Sequence, residues 1–206
     1  MVLAKRTLGI RRNLKEEKRR KQIKQAAVNV FSTKGYDQAP LDDVFLEAGV
    51  SKSLLYWYWE NKAALLCELI DDCMAPYLEL IQEAVKSEES FSKKFNRFLW
   101  DFLELARRNE KLNKLVHFCS LHHKKTEKED FGKRINAYYQ KILLNIESLF
   151  QQGVDNGYLR KDLDIEAFSL GLLSFVEGHI YMSILQERMP LDRILTILIK
   201  EFMISR

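Results

Sequence analysis

The sequence predicts an all-α fold, and three observations point to it. Glycine and proline number only 8 and 3 among 206 residues, too few for a turn-rich β protein. Apolar residues make up 47% of the chain and recur at spacings of three and four, the period of a buried helix face. Charge is segregated rather than alternating along strands: residues 1–24 hold ten Lys or Arg against Glu16 and Glu17, a net of +8. Residues 63–206 sum to −2, within a whole-chain net of +4. A basic segment on a slightly acidic body points to a polyanionic partner for the first part of the chain, nucleic acid first and an anionic membrane surface second. The expected organisation is a basic arm over residues 1–16, a helix-turn-helix domain over 17–64 and a helical domain over 65–206.

The first helix is read from about Glu17, with Ile23, Ala26, Ala27, Val30 and Phe31 on its inner face. Gly35 follows, suited to the left-handed conformation that ends a helix. Pro40 is expected at the first position of a second helix, with Asp42 and Asp43 in its first turn, where acids favour the dipole, and Val44 and Ala48 further along. Gly49 breaks the chain, and Ser51 caps a third helix from about Lys52 to Tyr58. Asn61 caps a fourth, carrying Leu65, Leu66, Leu69 and Ile70, which Pro76 is expected to kink or end. Two short helices joined by a Gly-containing turn make a helix-turn-helix candidate.

In the third helix Leu55 and Trp59 are four apart and face the core. Lys52, Ser53, Tyr56, Trp57 and Tyr58 are left facing outward or toward the helix N-terminus. Exposed aromatics need cover. Tyrosine hydroxyls and a lysine ammonium suit phosphate oxygens, and aromatic rings suit sugars or a thymine methyl. The fourth helix offers free N–H groups at its start, with Lys62 in its first turn. The competing reading is that Tyr56, Trp57 and Tyr58 pack between helices.

Residues 20–70 resemble the DNA-binding domain of the tetracycline-repressor (TetR) family of bacterial regulators. The matching blocks run from Arg20 through AAVNVF (26–31), KGYD (34–37), LDDV (41–44), EAGVSK (47–52), LYWYW (55–59) and NKAALL (61–66). The resemblance implies a homodimer that places each third helix in a major groove of a near-palindromic double-stranded operator. It assigns the recognition contacts to Lys52, Ser53, Leu54, Tyr56, Trp57 and Tyr58, and a phosphate contact to Lys62. Arg11, Arg12, Arg19 and Arg20 are expected to bind the DNA backbone. The chain departs from the family pattern at four places. Ala39-Pro40 replaces a Thr-containing pair that caps the second helix and binds a phosphate, Phe45 replaces a small residue, Ser53 stands for Gly and Leu54 for Thr.

Beyond Ser87-Glu88-Glu89-Ser90, a fifth helix carries Phe95, Phe98, Leu99, Phe102 and Ala106, closed by Arg107-Arg108-Asn109. A sixth carries Leu112, Leu115, Val116 and Cys119, and the charged run Lys124 to Asp130 is expected to be an exposed break. A seventh carries Phe131, Ile135, Tyr138, Ile142, Ile146, Leu149 and Phe150, and Gly153 and Gly157 bracket a turn. The eighth, about Ile165 to Gln186, shows Phe168, Leu172, Phe175, His179 and Met182 on one face and Leu173, Ile180 and Ile184 on another, so it needs cover on more than one side. Pro190 opens a ninth with Ile194, Leu195, Ile197, Leu198 and Phe202. The segment from Gly153 to Asp164 and the helix after it also resemble the family's C-terminal half. That resemblance implies a ligand site among helices four to eight and a dimer interface on helices eight and nine. Phe98, Phe102, His122, Tyr138, Phe175 and His179 are the candidate ligand residues, and their character suits a small apolar effector. Leu173, Ile180, Ile184, Ile194 and Leu198 are the candidate interface residues.

No G-x-S-x-G, Gly-rich phosphate loop, H-E-x-x-H or paired Glu-x-x-His occurs, so the chain is read as a non-enzyme without cofactor. Cys119, His122 and His123 fit metal spacing only loosely, and no metal is assigned. Three cysteines without a C-x-x-C, the charged N-terminus and the lack of an apolar run of about 18 residues lead to the expectation of a cytoplasmic protein with no membrane partner. The function expected is a repressor released from its operator by an apolar ligand. The alternatives are a regulator of the same fold under protein-partner control or without an effector, and a helical lipid-carrier or membrane-surface protein.

Overall fold

The structure, a computed structural model, describes residues 2–122 and 131–185, and within them the side chains of residues 14–119, 131–178 and 180–182. Among the described residues it contains eight helices and no strand: α1 (Val2–Lys34), α2 (Leu41–Glu47), α3 (Lys52–Tyr58), α4 (Lys62–Lys86), α5 (Phe91–Arg108), α6 (Glu110–His122), α7 (Phe131–Asp155) and α8 (Ile165–Leu185). They form two compact units. One takes described residues 2–71, 115–122 and 131; the other takes 72–114 and 132–185. The division of the chain therefore runs through α4 and α6.

In the first unit, Ile23, Ala27 and Phe31 of α1 meet Val44 of α2, Leu55 of α3 and Leu65, Leu66 and Leu69 of α4 in a fully buried core. Local chemistry sets the turns between them. Gly35 (φ 78°) and Gly49 (φ 62°) take the left-handed conformation that a side chain disfavours. Ser51 accepts a hydrogen bond from the Leu54 amide at 3.3 Å, and Asn61 Oδ1 accepts one from the Ala64 amide at 2.7 Å, capping α3 and α4 as their sequences predict. Gln22 of α1 donates to the Ala48 carbonyl at 2.7 Å, and Lys34 pairs with Asp43 at 2.7 Å, so α1 grips both ends of α2. The edge of Tyr36 meets Phe31 on one side and Phe131 on the other, at ring separations of 5.4 and 5.7 Å.

The second unit is built on aromatic contacts. Phe91 stacks on Phe95, Phe95 meets Phe150 edge-on, and Phe150 meets Phe168, linking α5, α7 and α8. Several buried polar groups here pair with one another. The buried Lys94 ammonium donates to the Ser87 carbonyl and to Gln152, and Gln152 donates to the Val85 carbonyl. The Cys73 thiol and Tyr77 hydroxyl both donate to Asn113 Oδ1 at 3.1 Å, and Asn113 donates to the Ala106 carbonyl. Burial pushes the thiols of Cys73 and Cys119 up to about 12, so neither is a thiolate at neutral pH.

Five expectations change. The first helix begins at Val2 rather than near Glu17, so residues 2–16 are helical and continuous with the rest of α1. Pro40 is the extended residue before α2 (φ −70°, ψ 149°) rather than its first helical residue, and no side chain caps that helix. Of the two outcomes expected at Pro76, the end of the helix does not occur: α4 runs on to Lys86, with Cys73, Met74, Tyr77 and Ile81 around the proline buried. Gly153 lies within α7, where a Cβ would come within 2.7 Å of the Phe91 ring; the turn glycine is Gly157 (φ 70°). On α8 the buried residues are Ser169, Leu173, Val176 and Ile180, while Leu170 and Tyr181 are exposed. The expected break at Lys124–Asp130 and the ninth helix from Pro190 lie outside the described residues.

The Gly153 contact is testable. Gly153→Ala forces a methyl into the Phe91 and Leu159 side chains and is expected to destabilise the protein by about 1–3 kcal/mol in urea unfolding.

Candidate nucleic-acid interface

One carboxylate holds the third helix in place. Trp59 ends α3, is buried, and donates its indole N–H to Glu68 Oε2 at 2.7 Å. Arg20 of α1 grips the same carboxylate with two nitrogens, one of them at 2.9 Å, and Lys24 approaches it at 3.0 Å. The Arg20 guanidinium also lies 5.4 Å from the centre of the Trp59 ring, a cation–π distance. Burial alone would raise the Glu68 carboxyl. The hydrogen bonds from Arg20, Lys24 and Trp59 outweigh it and hold the group below its usual 4.5.

The outer face of α3 is aromatic. Tyr56 and Trp57 are 45% and 64% exposed, so the competing expectation that they pack between helices does not hold for these two. Tyr58 is half-buried, meets Trp57 edge-on at 4.7 Å, and donates its hydroxyl to the Glu16 carbonyl at 3.2 Å. Leu54, Trp57 and Tyr58 line a crevice of about 380 Å3 whose other wall is Lys15, Glu16 and Arg19 of α1. Lys52 is exposed, and its ammonium lies 3.0 Å from the Asp42 carboxylate of α2, which raises its pKa by hydrogen bond and charge. The Ser53 hydroxyl is 3.1 Å from that of Ser51.

Two of the expected DNA contacts, Lys62 and Arg20, are engaged within the protein. Lys62 is turned inward: it donates to the Tyr36 carbonyl and sits 4.4 Å from the Tyr36 ring and 5.6 Å from the Phe31 ring. Desolvation there lowers its pKa. Arg20 is engaged with Glu68, whereas Arg19, one residue earlier, is exposed. Arg11 and Arg12 belong to α1, and their side chains lie outside the described residues. Ala39 is buried with its amide on the Gly35 carbonyl, so no side chain replaces the family's threonine clamp.

Of the expected ligand residues, Phe98 and Phe102 are buried with rings 5.7 Å apart, and Phe102 lies 4.5 Å from Tyr77. Tyr138 and Phe175 are half-buried. His122 and His179 fall on α6 and α8, with side chains outside the described residues. Leu173 and Ile180, expected at the dimer interface, are buried within the chain itself. Ile184 lies on α8 with its side chain undescribed, and Ile194 and Leu198 lie outside the described residues. The exposed face of α8 is instead Leu170, Gly171, Ser174, Gly178 and Tyr181, with open space at both glycines. Sequence reasoning also misses an electrostatic pairing inside the second unit: burial, together with the Glu177 carboxylate of α8, raises the pKa of the Tyr139 phenol of α7. The available signal is a lone acid on an otherwise apolar stretch of helix.

Comparison with known proteins agrees with this geometry. The family model described as bacterial regulatory proteins, tetR family, matches residues 23–69, which span the last third of α1 through the first turns of α4. The chain is 25% identical over 144 residues to the fatty acid metabolism regulator protein of Bacillus subtilis (strain 168), covering 70% of this chain and 72% of that one. It is 27% identical over 177 residues to the HTH-type transcriptional regulator TtgR of Pseudomonas putida, covering 81% of each. Among solved structures it resembles SmeT, the repressor of the Stenotrophomonas maltophilia multidrug efflux pump SmeDEF, with a TM-score of 0.72, 20% identity and coverage of 90% and 91%. A SmeT–triclosan complex matches with a TM-score of 0.69, 19% identity and coverage of 82% and 81%.

The interface can be probed by pH and by salt. Because the folded Glu68 carboxyl titrates below its unfolded value, its contribution is present above about pH 4.5 and is lost as pH falls through the folded value. Thermal stability is therefore expected to hold down to about pH 5 and then fall, and Glu68→Gln should flatten that fall. Arg19→Ala should lower the slope of log affinity for duplex DNA against log salt by about one. Lys62→Ala should leave the slope unchanged and reduce thermal stability instead.

Proposed function

We propose that the chain, whose residues 23–69 match the tetR family model, is a DNA-binding transcriptional regulator of that family, and that it acts as a dimeric repressor released from a near-palindromic operator by a small, largely apolar molecule. The observation that carries this reading is the exposed aromatic face of α3 beside the basic wall of α1. Exposed Trp57 and Tyr56 are costly in water and gain cover in a major groove. Lys15, Lys18, Arg19 and Lys21, all exposed on α1, supply the flanking positive charge for phosphates. A phosphate role for Lys62 would require its ammonium to leave the Tyr36 carbonyl.

The effector part is supported by the aromatic interior of the second unit, where Tyr77, Phe98 and Phe102 cluster, and by the triclosan complex of a protein of the same fold. A ligand acts only through a difference in affinity between the DNA-bound and released states. The dimer part is supported by α8. Leu170, Gly171, Ser174, Gly178 and Tyr181 make an exposed stripe of small and apolar residues that allows a second helix to approach closely.

Selection of the purified protein against a randomised duplex library, followed by fluorescence anisotropy over a salt series, tests the DNA-reading role. The expected result is enrichment of a near-palindrome with affinity that falls steeply with salt. Adding triclosan or related apolar phenols should raise the melting temperature and release the duplex. Gly178→Leu should shift the protein from dimer to monomer in sedimentation velocity and weaken binding to the full palindrome more than to a half-site.

A further inference from the structure

We propose that α3 reads its operator chiefly through the 5-methyl groups of thymine, taken up by Leu54 and Trp57; the proposal rests on the DNA-reading role above and specifies the chemistry it recognises. The composition of α3 is the first observation. Its seven residues, KSLLYWY, include no Arg, Asn or Gln, and the one remaining side chain suited to a guanine edge is Lys52. The polar groups at its N-terminal end are engaged within the protein. The Lys52 ammonium is 3.0 Å from Asp42, the Ser53 hydroxyl is 3.1 Å from that of Ser51, and the Ser51 hydroxyl accepts the Leu54 amide. At the other end the Tyr58 hydroxyl is held by the Glu16 carbonyl.

What remains on the outer face is largely apolar. Leu54 and Trp57 are three apart, lie on one side of the helix and line the same crevice of about 380 Å3. Its far wall carries the cations Lys15 and Arg19, an arrangement that places an apolar reader beside two phosphate partners. In the major groove, thymine alone presents an apolar group at the base edge, its C5 methyl. The other three bases offer only hydrogen-bonding groups, for which the outer face presents the Tyr56 hydroxyl and the Trp57 indole N–H beside the larger apolar area of Leu54 and the Trp57 ring. Leu54 stands where the resembling family often has Thr, so the direction of the departure is from hydrogen bonding toward methyl contact.

The test replaces each thymine of the selected duplex singly with deoxyuridine, which removes only the methyl group, and measures affinity by anisotropy with the full-length protein. At one or more positions in each half-site affinity should fall about four- to tenfold, as expected for losing one buried methyl contact, while the remaining positions change less than twofold. Trp57→Ala, at an exposed position, and Leu54→Ala should each bind the thymine and deoxyuridine duplexes more nearly alike while keeping the natural salt slope. If every deoxyuridine substitution stays within twofold, or if both variants discriminate as well as the natural protein, methyl readout is overturned and sequence must be read by hydrogen bonds or DNA shape. If no duplex sequence is enriched at all, the DNA-reading role itself fails, an outcome distinct from an operator that tolerates deoxyuridine.

Discussion

The arrangement of the first unit depends on one carboxylate. Glu68 of α4 accepts from Arg20 and Lys24 of α1 and from the indole of Trp59, the residue that ends α3. An α-helix of seven residues is too short to be stable by itself, so α3 keeps its shape only through what holds its ends. Ser51 fixes the beginning by capping, and the Trp59–Glu68 contact fixes the end. The group is partly buried and charge-assisted, which makes its hydrogen bonds stronger than neutral ones and makes loss of any partner costly.

That anchoring explains how a largely apolar helix can be left facing water. Leu55 and Trp59 occupy the core, so Tyr56 and Trp57 cannot turn inward without dismantling it. The same logic applies to Lys62. Its ammonium lies on a carbonyl and two aromatic rings, joining the start of α4 to the turn after α1. Positive charge for a polyanion then comes from the exposed face of α1. The second unit is organised differently, by aromatic rings in contact and by the buried pairings of Lys94 with Gln152 and of Cys73 and Tyr77 with Asn113.

Much of the first unit is legible in the sequence because its determinants are local. Gly35, Gly49, Ser51 and Asn61 act within four residues of themselves, and each does in the structure what its chemistry predicts. The exposed aromatics of α3 are legible as the remainder once Leu55 and Trp59 are assigned to the core. Glu68, the inward turn of Lys62 and the constraint at Gly153 are not, because each depends on a partner far away in sequence: Arg20, Tyr36 and Phe91 respectively. The buried side of α8 is hidden for a different reason. A helix apolar on more than one face has no single periodic stripe, so spacing alone does not tell that Leu173 and Ile180 face the interior while Leu170 and Tyr181 face outward. Pro76 misleads as a helix end because burial on both sides of it outweighs one lost backbone hydrogen bond.

If Glu68 fixes α3, amide hydrogen exchange in Glu68→Gln reads that role most directly. Exchange across residues 52–59 should accelerate by about tenfold or more relative to the natural protein, as expected when a short helix loses the group that holds its end, while α5 and α7 keep their protection. Unchanged protection of residues 52–59 in that variant would contradict the role given to Glu68, since α3 would then be held by its core contacts alone.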